Sequence, residues 1–189
     1  MQIPKHSADT GLTQVFLKPG EIYLSNTPAR ISTVLGSCIS VTMYHRRSGV
    51  GGICHAVLPN GNGAPVVNSG SANSELKYVD SVFGYLYYKI KQAGIPASQL
   101  EVKLFGGASL MTGSERCGTE KSIGSQNVRR AKAVIGKFNL KIAAMDVGGI
   151  SGRKIVFFTH TGTVWVKRLN KNELMDGSEF YHSSRKERH

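Results

Sequence analysis

Residues Ser32–Pro59 read S-T-V-L-G-S-C-I-S-V-T-M-Y-H-R-R-S-G-V-G-G-I-C-H-A-V-L-P, and this stretch decides how the rest of the chain is arranged. A β-branched run enters a Gly36-Ser37-Cys38 turn. Ile39, Val41 and Met43 then alternate with Ser40, Thr42 and Tyr44, the period-2 signature of a half-buried strand, with Cys38 on its polar face. A Gly-rich reversal leads into a second strand carrying His55. If Cys38–Tyr44 and Gly52–Leu58 are the arms of a hairpin, Cys38 lies directly opposite His55, with Cβ atoms about 4.5–5.5 Å apart. A one-residue slip at Gly51-Gly52 would instead bring Cys54 beside Cys38. A thiol and an imidazole delivered by neighbouring segments are a candidate nucleophile and base.

The same strand logic extends in both directions. Gln14–Leu17 and Glu21–Ser25 are short strands split by Lys18-Pro19-Gly20, and Arg30–Leu35 is a third. Ser74–Ala93 is the clearest helix: Val79, Val82, Phe83, Leu86 and Ile90 recur at helical spacing, and Gly94 with Pro96 ends it. Its tyrosines, Tyr78, Tyr85, Tyr87 and Tyr88, read as packing at the core edge. Glu101–Phe105 is a strand running into Gly106-Gly107. A second helix over Ser125–Phe138 buries Val128, Ala131, Val134, Ile135 and Phe138. Leu140–Val147, Arg153–Thr159 and Thr163–Leu169 are three final strands, with a sharp bend or close backbone approach at Gly148-Gly149. Asn60–Asn73 has no apolar period and is a mobile loop, either a lid or substrate flap or plain surface chain. Strands first, then helix, strand, helix and a terminal strand set argue for a mixed α+β sandwich. The organisation is one domain over residues 13–169, with a flexible tail at 1–12 and a polar, basic one at 170–189.

Composition narrows the function classes. A chain of 189 residues with 40% apolar and 19% charged content is long enough to bury a substantial core. It has no apolar run of the length that spans a membrane and no apolar leader, so a cytoplasmic protein is expected. Cys38, Cys54 and Cys117 are an odd number without a C-x-x-C pair, which argues against a disulfide framework. Lys and Arg outnumber Asp and Glu 24 to 12, giving a formal charge of +12. The basic residues come in ones and twos, without a dense block or an aromatic RNA-binding signature, so an acidic protein partner fits better than nucleic acid. Cys54 and His55 are adjacent on a strand and point to opposite faces, which disfavours a zinc site. Gly106-Gly107 and Gly148-Gly149 lack the lysine and helix of a phosphate loop. No cofactor or metal is expected.

Five blocks in order carry a resemblance: L-G-S-C-I-S-V at Leu35–Val41, G-G-I-C-H-A-V-L-P at Gly51–Pro59, K-L-F-G-G-A at Lys103–Ala108, I-G-S-Q-N at Ile123–Asn127 and D-V-G-G-I-S-G-R-K-I at Asp146–Ile155. Over Gln14–Leu169 the chain resembles CheD, the chemoreceptor glutamine deamidases of bacterial chemotaxis. The resemblance implies an α-β-β layered sandwich and a protein-glutamine glutaminase. It places the catalytic cysteine at Cys38 and the histidine at His55. The family's third residue, a threonine six positions before the cysteine, falls on Ser32 by spacing, with Thr33 one place later, so both stand as candidates. It also implies the cytoplasmic helical bundle of chemoreceptors as substrate and a CheC-type phosphatase as a regulatory partner. Beside it, Gly36 and Ser37 are candidate oxyanion-binding turn residues, and a glutamyl methyl ester could react by the same route. Asn127 and Asp146 read as turn and helix-start residues. A non-catalytic adaptor that binds receptors or the phosphatase is the alternative.

Overall fold

The computed structural model describes residues 11–60, 76–109, 122–170 and 173–174. Along the chain these form β1 (Thr13–Phe16), β2 (Ile22–Ser25), β3 (Ala29–Leu35), β4 (Ile39–His45), β5 (Val50–Ala56), α1 (Val79–Gln92), β6 (Glu101–Gly106), α2 (Ile123–Lys137), β7 (Ile142–Val147), β8 (Gly152–Phe158) and β9 (Val164–Leu169). The strands build a four-stranded sheet of order β1-β3-β8-β9 and a five-stranded sheet of order β2-β5-β4-β6-β7. The β1–β3 and β6–β7 pairs are parallel and the other pairs antiparallel. Both helices pack on the five-stranded sheet. The four-stranded sheet covers its opposite face, which gives the expected α-β-β sandwich.

Two apolar cores fill the gaps between layers. Val79, Val82, Phe83, Leu86 and Ile90 of α1 are buried against Ile39, Val41 and Met43 of β4, together with Ala131, Val134 and Ile135 of α2. Each such large side chain removed from water contributes roughly 1.5–3 kcal/mol before entropy is counted. Tyr85 and Tyr87 are half-buried at the edge of this core, as their place on the helix predicts. Between the sheets, Ile31 and Leu35 of β3 meet Ile53 of β5 and Ile155 and Phe157 of β8.

Three local expectations are corrected. Helix α1 begins at Val79 and not at Ser74, because Lys77 is in a turn and Tyr78 is held extended: Val57 and Leu58 donate to the Lys77 carbonyl, and Tyr78 bridges Leu58. Tertiary pairing there outweighs the helical period. The polar face of β4 does not meet solvent. Ser40, Thr42 and Tyr44 are buried because the second sheet lies on them. The β4–β5 reversal is also tighter than expected, since His45 pairs with Val50 and only Arg46–Gly49 turn the chain, with Gly49 at φ +67°. His55 therefore stands opposite Ser40, not Cys38. A shift of two preserves side-chain parity, so Cys38 keeps the face of His55 but becomes its diagonal neighbour. The stretch after Asn60 read as a lid, and Cys117, lie outside the described residues.

Candidate active site

The β3–β4 connection, Gly36–Cys38, carries the chain from one sheet to the other, and Cys38 sits at its end. It is half-buried and packs at the margin of the core between the sheets. Each carbonyl of this loop is tied down. Ala108 N–H donates to Gly36 O (2.9 Å), Gly107 N–H to Cys38 O (2.7 Å), and the Asn127 side-chain amide to Ser37 O (2.8 Å). The N–H groups of Ser37 and Cys38 donate to no carbonyl among the described residues.

Gly106 explains how the neighbouring chain comes so close. Its φ is +109°, and a Cβ there would strike the Cys38 carbonyl oxygen. At Gly107, φ +69°, a Cβ would meet Val128 and the Gly124 carbonyl of α2. Both positions combine a left-handed backbone with a contact that leaves no room for a side chain. Gly106-Gly107 is thus a strap that holds the cysteine loop close to α2.

His55 comes from the adjoining strand and is 2% exposed. Its backbone is locked by the β1–β2 turn: His55 N–H donates to Glu21 O (3.0 Å) and Gly20 N–H to His55 O (2.8 Å). Its Nδ1 lies 2.8 Å from Thr33 Oγ1. The Thr33 hydroxyl has one proton and gives it to Leu17 O at 2.7 Å. It must therefore accept from the ring, so His55 carries its proton on Nδ1 and presents a bare lone pair at Nε2. That nitrogen is buried and has no hydrogen-bond partner among the described residues, the Cys38 thiol included.

Of the two hydroxyl candidates, the structure brings only Thr33 to the histidine. Along β3 the odd-numbered residues Ala29, Ile31, Thr33 and Leu35 are buried between the sheets, and the even-numbered ones face the other way. Ser32 pairs with Phe16 and Val156 on that outer face, so its hydroxyl points away from His55. Strand parity thus separates the two hydroxyls that the spacing left side by side.

Burial sets the resting protonation. It pushes His55 down to about 4, with the nearby Leu17 carbonyl opposing, so the imidazole is neutral at ordinary pH. It also pushes the Cys38 thiol up, partly offset by a hydrogen bond from the residue's own backbone N–H. Both directions favour a neutral thiol–imidazole pair over a preformed ion pair. A neutral imidazole with a free Nε2 lone pair is a proton acceptor, and a neutral thiol on the same face is a proton donor. Cys54, one residue from His55, points into the helix-side core and is pushed up by complete burial. It does not share the face of Cys38.

A family model described as CheD chemotactic sensory transduction matches residues 57–168. The chain is 42% identical over 162 residues to a probable chemoreceptor glutamine deamidase CheD of Geobacter sulfurreducens, covering 86% of this chain and 94% of that one. The chain belongs to the CheD family. A second CheD relative, a probable chemoreceptor glutamine deamidase of Maridesulfovibrio salexigens, is 40% identical over 90% of this chain and 99% of its own. A CheD of Methanosarcina acetivorans, with the same description, is 34% identical over 88% of this chain and 98% of its own. The CheD family model begins after Cys38 and His55, whereas a match of 162 residues within 189 necessarily includes both.

Two further residues gain structural weight. Asn127 is fully buried and holds both the Ser37 and the Val57 carbonyls, at 2.8 and 2.9 Å. Asp146 on β7 pairs with Arg153 of β8, a fully buried guanidinium that also donates to Gly148 O and Ser151 O. Asp146 thereby bolts one sheet to the other. For Asn127 the sequence carried a signal: it interrupts the apolar stripe of Ala131, Val134 and Ile135 on α2. A polar residue on a buried helical face must have partners. Among the described residues no helix is long and apolar enough to cross a membrane.

Proposed function

We propose that this chain is a protein-glutamine glutaminase that converts selected chemoreceptor glutamines to glutamate. The observation that carries the reading is the fixed tautomer of His55, whose bare Nε2 shares a face with the Cys38 thiol. Relatives bearing the name chemoreceptor glutamine deamidase support the substrate.

In this mechanism the Cys38 sulfur attacks the glutamine side-chain carbonyl as His55 Nε2 takes the thiol proton. The oxyanion is held by N–H groups of the Gly36–Cys38 loop. A well-placed donor of this kind is worth about 3–4 kcal/mol of barrier. The imidazolium returns the proton to the departing nitrogen, the C–N bond breaks, and ammonia leaves a thioester. His55 then deprotonates a water that attacks the thioester, the C–S bond breaks, and the thiolate recovers the proton. Thr33 keeps the Nδ1–H in place throughout. A glutamyl methyl ester would leave by the same tetrahedral route.

The +12 charge suits an acidic receptor surface. A CheC-type phosphatase is the accompanying regulatory partner, and co-purification with one checks that part. The deciding experiment incubates the protein with a purified chemoreceptor cytoplasmic fragment. It follows ammonia release and the mass change of amide-to-acid conversion, with Cys38→Ala as control. Turnover abolished in the control is expected. Equal turnover by Cys38→Ala, or none from the parent protein on any receptor fragment, overturns the proposal.

A further inference from the structure

Asn127 stands apart from the thiol, the imidazole and the hydroxyl, and among the described residues it shares no hydrogen bond with any of them. Asn127, on the second helix, donates both hydrogens of its amide, one to Ser37 O at 2.8 Å and one to Val57 O at 2.9 Å. The first carbonyl is in the peptide unit that ends at Cys38, and the second lies two residues after His55. The amide orientation is forced, since a flipped side chain would press its oxygen against two carbonyls. The backbone of α2 cannot slide away, because Gly124 is packed so closely on Gly107 and Ala108 that a Cβ there would strike the Ala108 carbonyl.

The Ser37–Cys38 peptide is planar and trans, so its C=O and N–H point in opposite directions. A clamp on the Ser37 carbonyl therefore sets where the Cys38 N–H points. That N–H has no carbonyl acceptor among the described residues. We infer that Asn127 is a positioning residue for the reaction: by holding the Ser37 carbonyl it aims the Cys38 N–H at the site of the developing oxyanion, and by holding Val57 it fixes the His55 strand end at the same spacing. The inference rests on the proposed deamidase reading. It adds to that reading a residue that acts through the backbone of the nucleophile. The same N–H lies against the Cys38 sulfur and stabilises its thiolate form. Aim can therefore be read without any substrate.

The test uses Asn127→Leu, close in shape but without donors, and Asn127→Ser, which keeps one donor on a shorter arm. Three quantities are measured: the melting temperature, kcat and KM on a receptor fragment, and the pH profile of Cys38 alkylation by iodoacetamide, located by peptide mass mapping. Expected for a folded Asn127→Leu is a kcat fall of about tenfold to a hundredfold with KM little changed. Its alkylation midpoint should move to higher pH, and Asn127→Ser should fall between it and the parent. A folded variant with parental kcat and an unmoved alkylation profile overturns the inference. Failure of both variants to fold would assign Asn127 to folding alone and overturn it equally. Cys38→Ala is assayed in parallel: if it is active, the Cys38 thioester mechanism falls, while the alkylation profiles of the Asn127 variants still judge Asn127.

Discussion

Thr33→Val is the sharpest test of how the histidine is held. Valine keeps the volume and branching of a strand residue with 0% exposure, and it deletes one hydroxyl that makes two hydrogen bonds, 2.7 Å to Leu17 O and 2.8 Å to His55 Nδ1. A buried donor or acceptor left without a partner costs about 1–3 kcal/mol. Here the loss is softened, because the Leu17 carbonyl already lies against the ring and can accept the Nδ1 proton itself. A cost of about 1–2 kcal/mol follows, which in a chain of this size lowers Tm by about 2–8 °C. The catalytic effect is larger than the stability effect. Without a fixed acceptor the tautomer with its proton on Nε2 becomes populated, and that form cannot take the thiol proton. Because Leu17 still favours the working tautomer, kcat should fall about 10–100-fold, short of the 10⁴-fold loss that a fully wrong tautomer can cause. Thr33→Ser keeps the hydroxyl and should stay near the parent, and Ser32→Ala, on the outer face, should change nothing. Ammonia release and thermal melts of all three decide the matter. Parental turnover in Thr33→Val, or a Ser32→Ala protein as impaired as Thr33→Val, refutes the reasoning.

Three more outcomes follow from the same geometry. Folding lowers His55 from 6.5 to about 4, so the unfolded chain binds the extra proton first, and stability present above pH 6.5 is lost as pH falls toward 4. The loss is at most about 3 kcal/mol, and thermal melts across that window should show a flatter slope in His55→Asn; an identical slope would contradict the assignment. In native protein iodoacetamide should modify Cys38 and leave Cys54 untouched, since Cys54 is sealed in the helix-side core; peptide mapping that finds Cys54 labelled at the same rate would show the layer assignment to be wrong. Gly106→Ala should cost about 2 kcal/mol or more and depress turnover, because the new methyl meets the Cys38 carbonyl from a left-handed backbone; urea melts giving a parental midpoint would refute the strap.

Much of this architecture was legible because strands announce themselves by parity. Among the described residues, nine strands and two helices lie within about five residues of where the sequence reading puts them. Long-range pairing was not legible. The start of α1 depends on a bridge from Tyr78 to Leu58, and the hairpin register on a four-residue turn in a seven-residue reversal. The site was half readable. Cys38 and His55 share a face under either register, since a shift of two keeps parity. The choice between Ser32 and Thr33 was available too, because Ile31 and Leu35 mark the buried side of β3 and Thr33 belongs with them. That Ser40 and Thr42 are buried was not available, as nothing within β4 reveals that a second sheet lies across its hydroxyls.

The hydroxyl that orients the imidazole and the imidazole itself belong to different sheets, and the thiol sits on the segment passing between them. No single layer holds the working set. During refolding, turnover should therefore return only with the closing of the two sheets onto each other, later than the strand signal in the far ultraviolet.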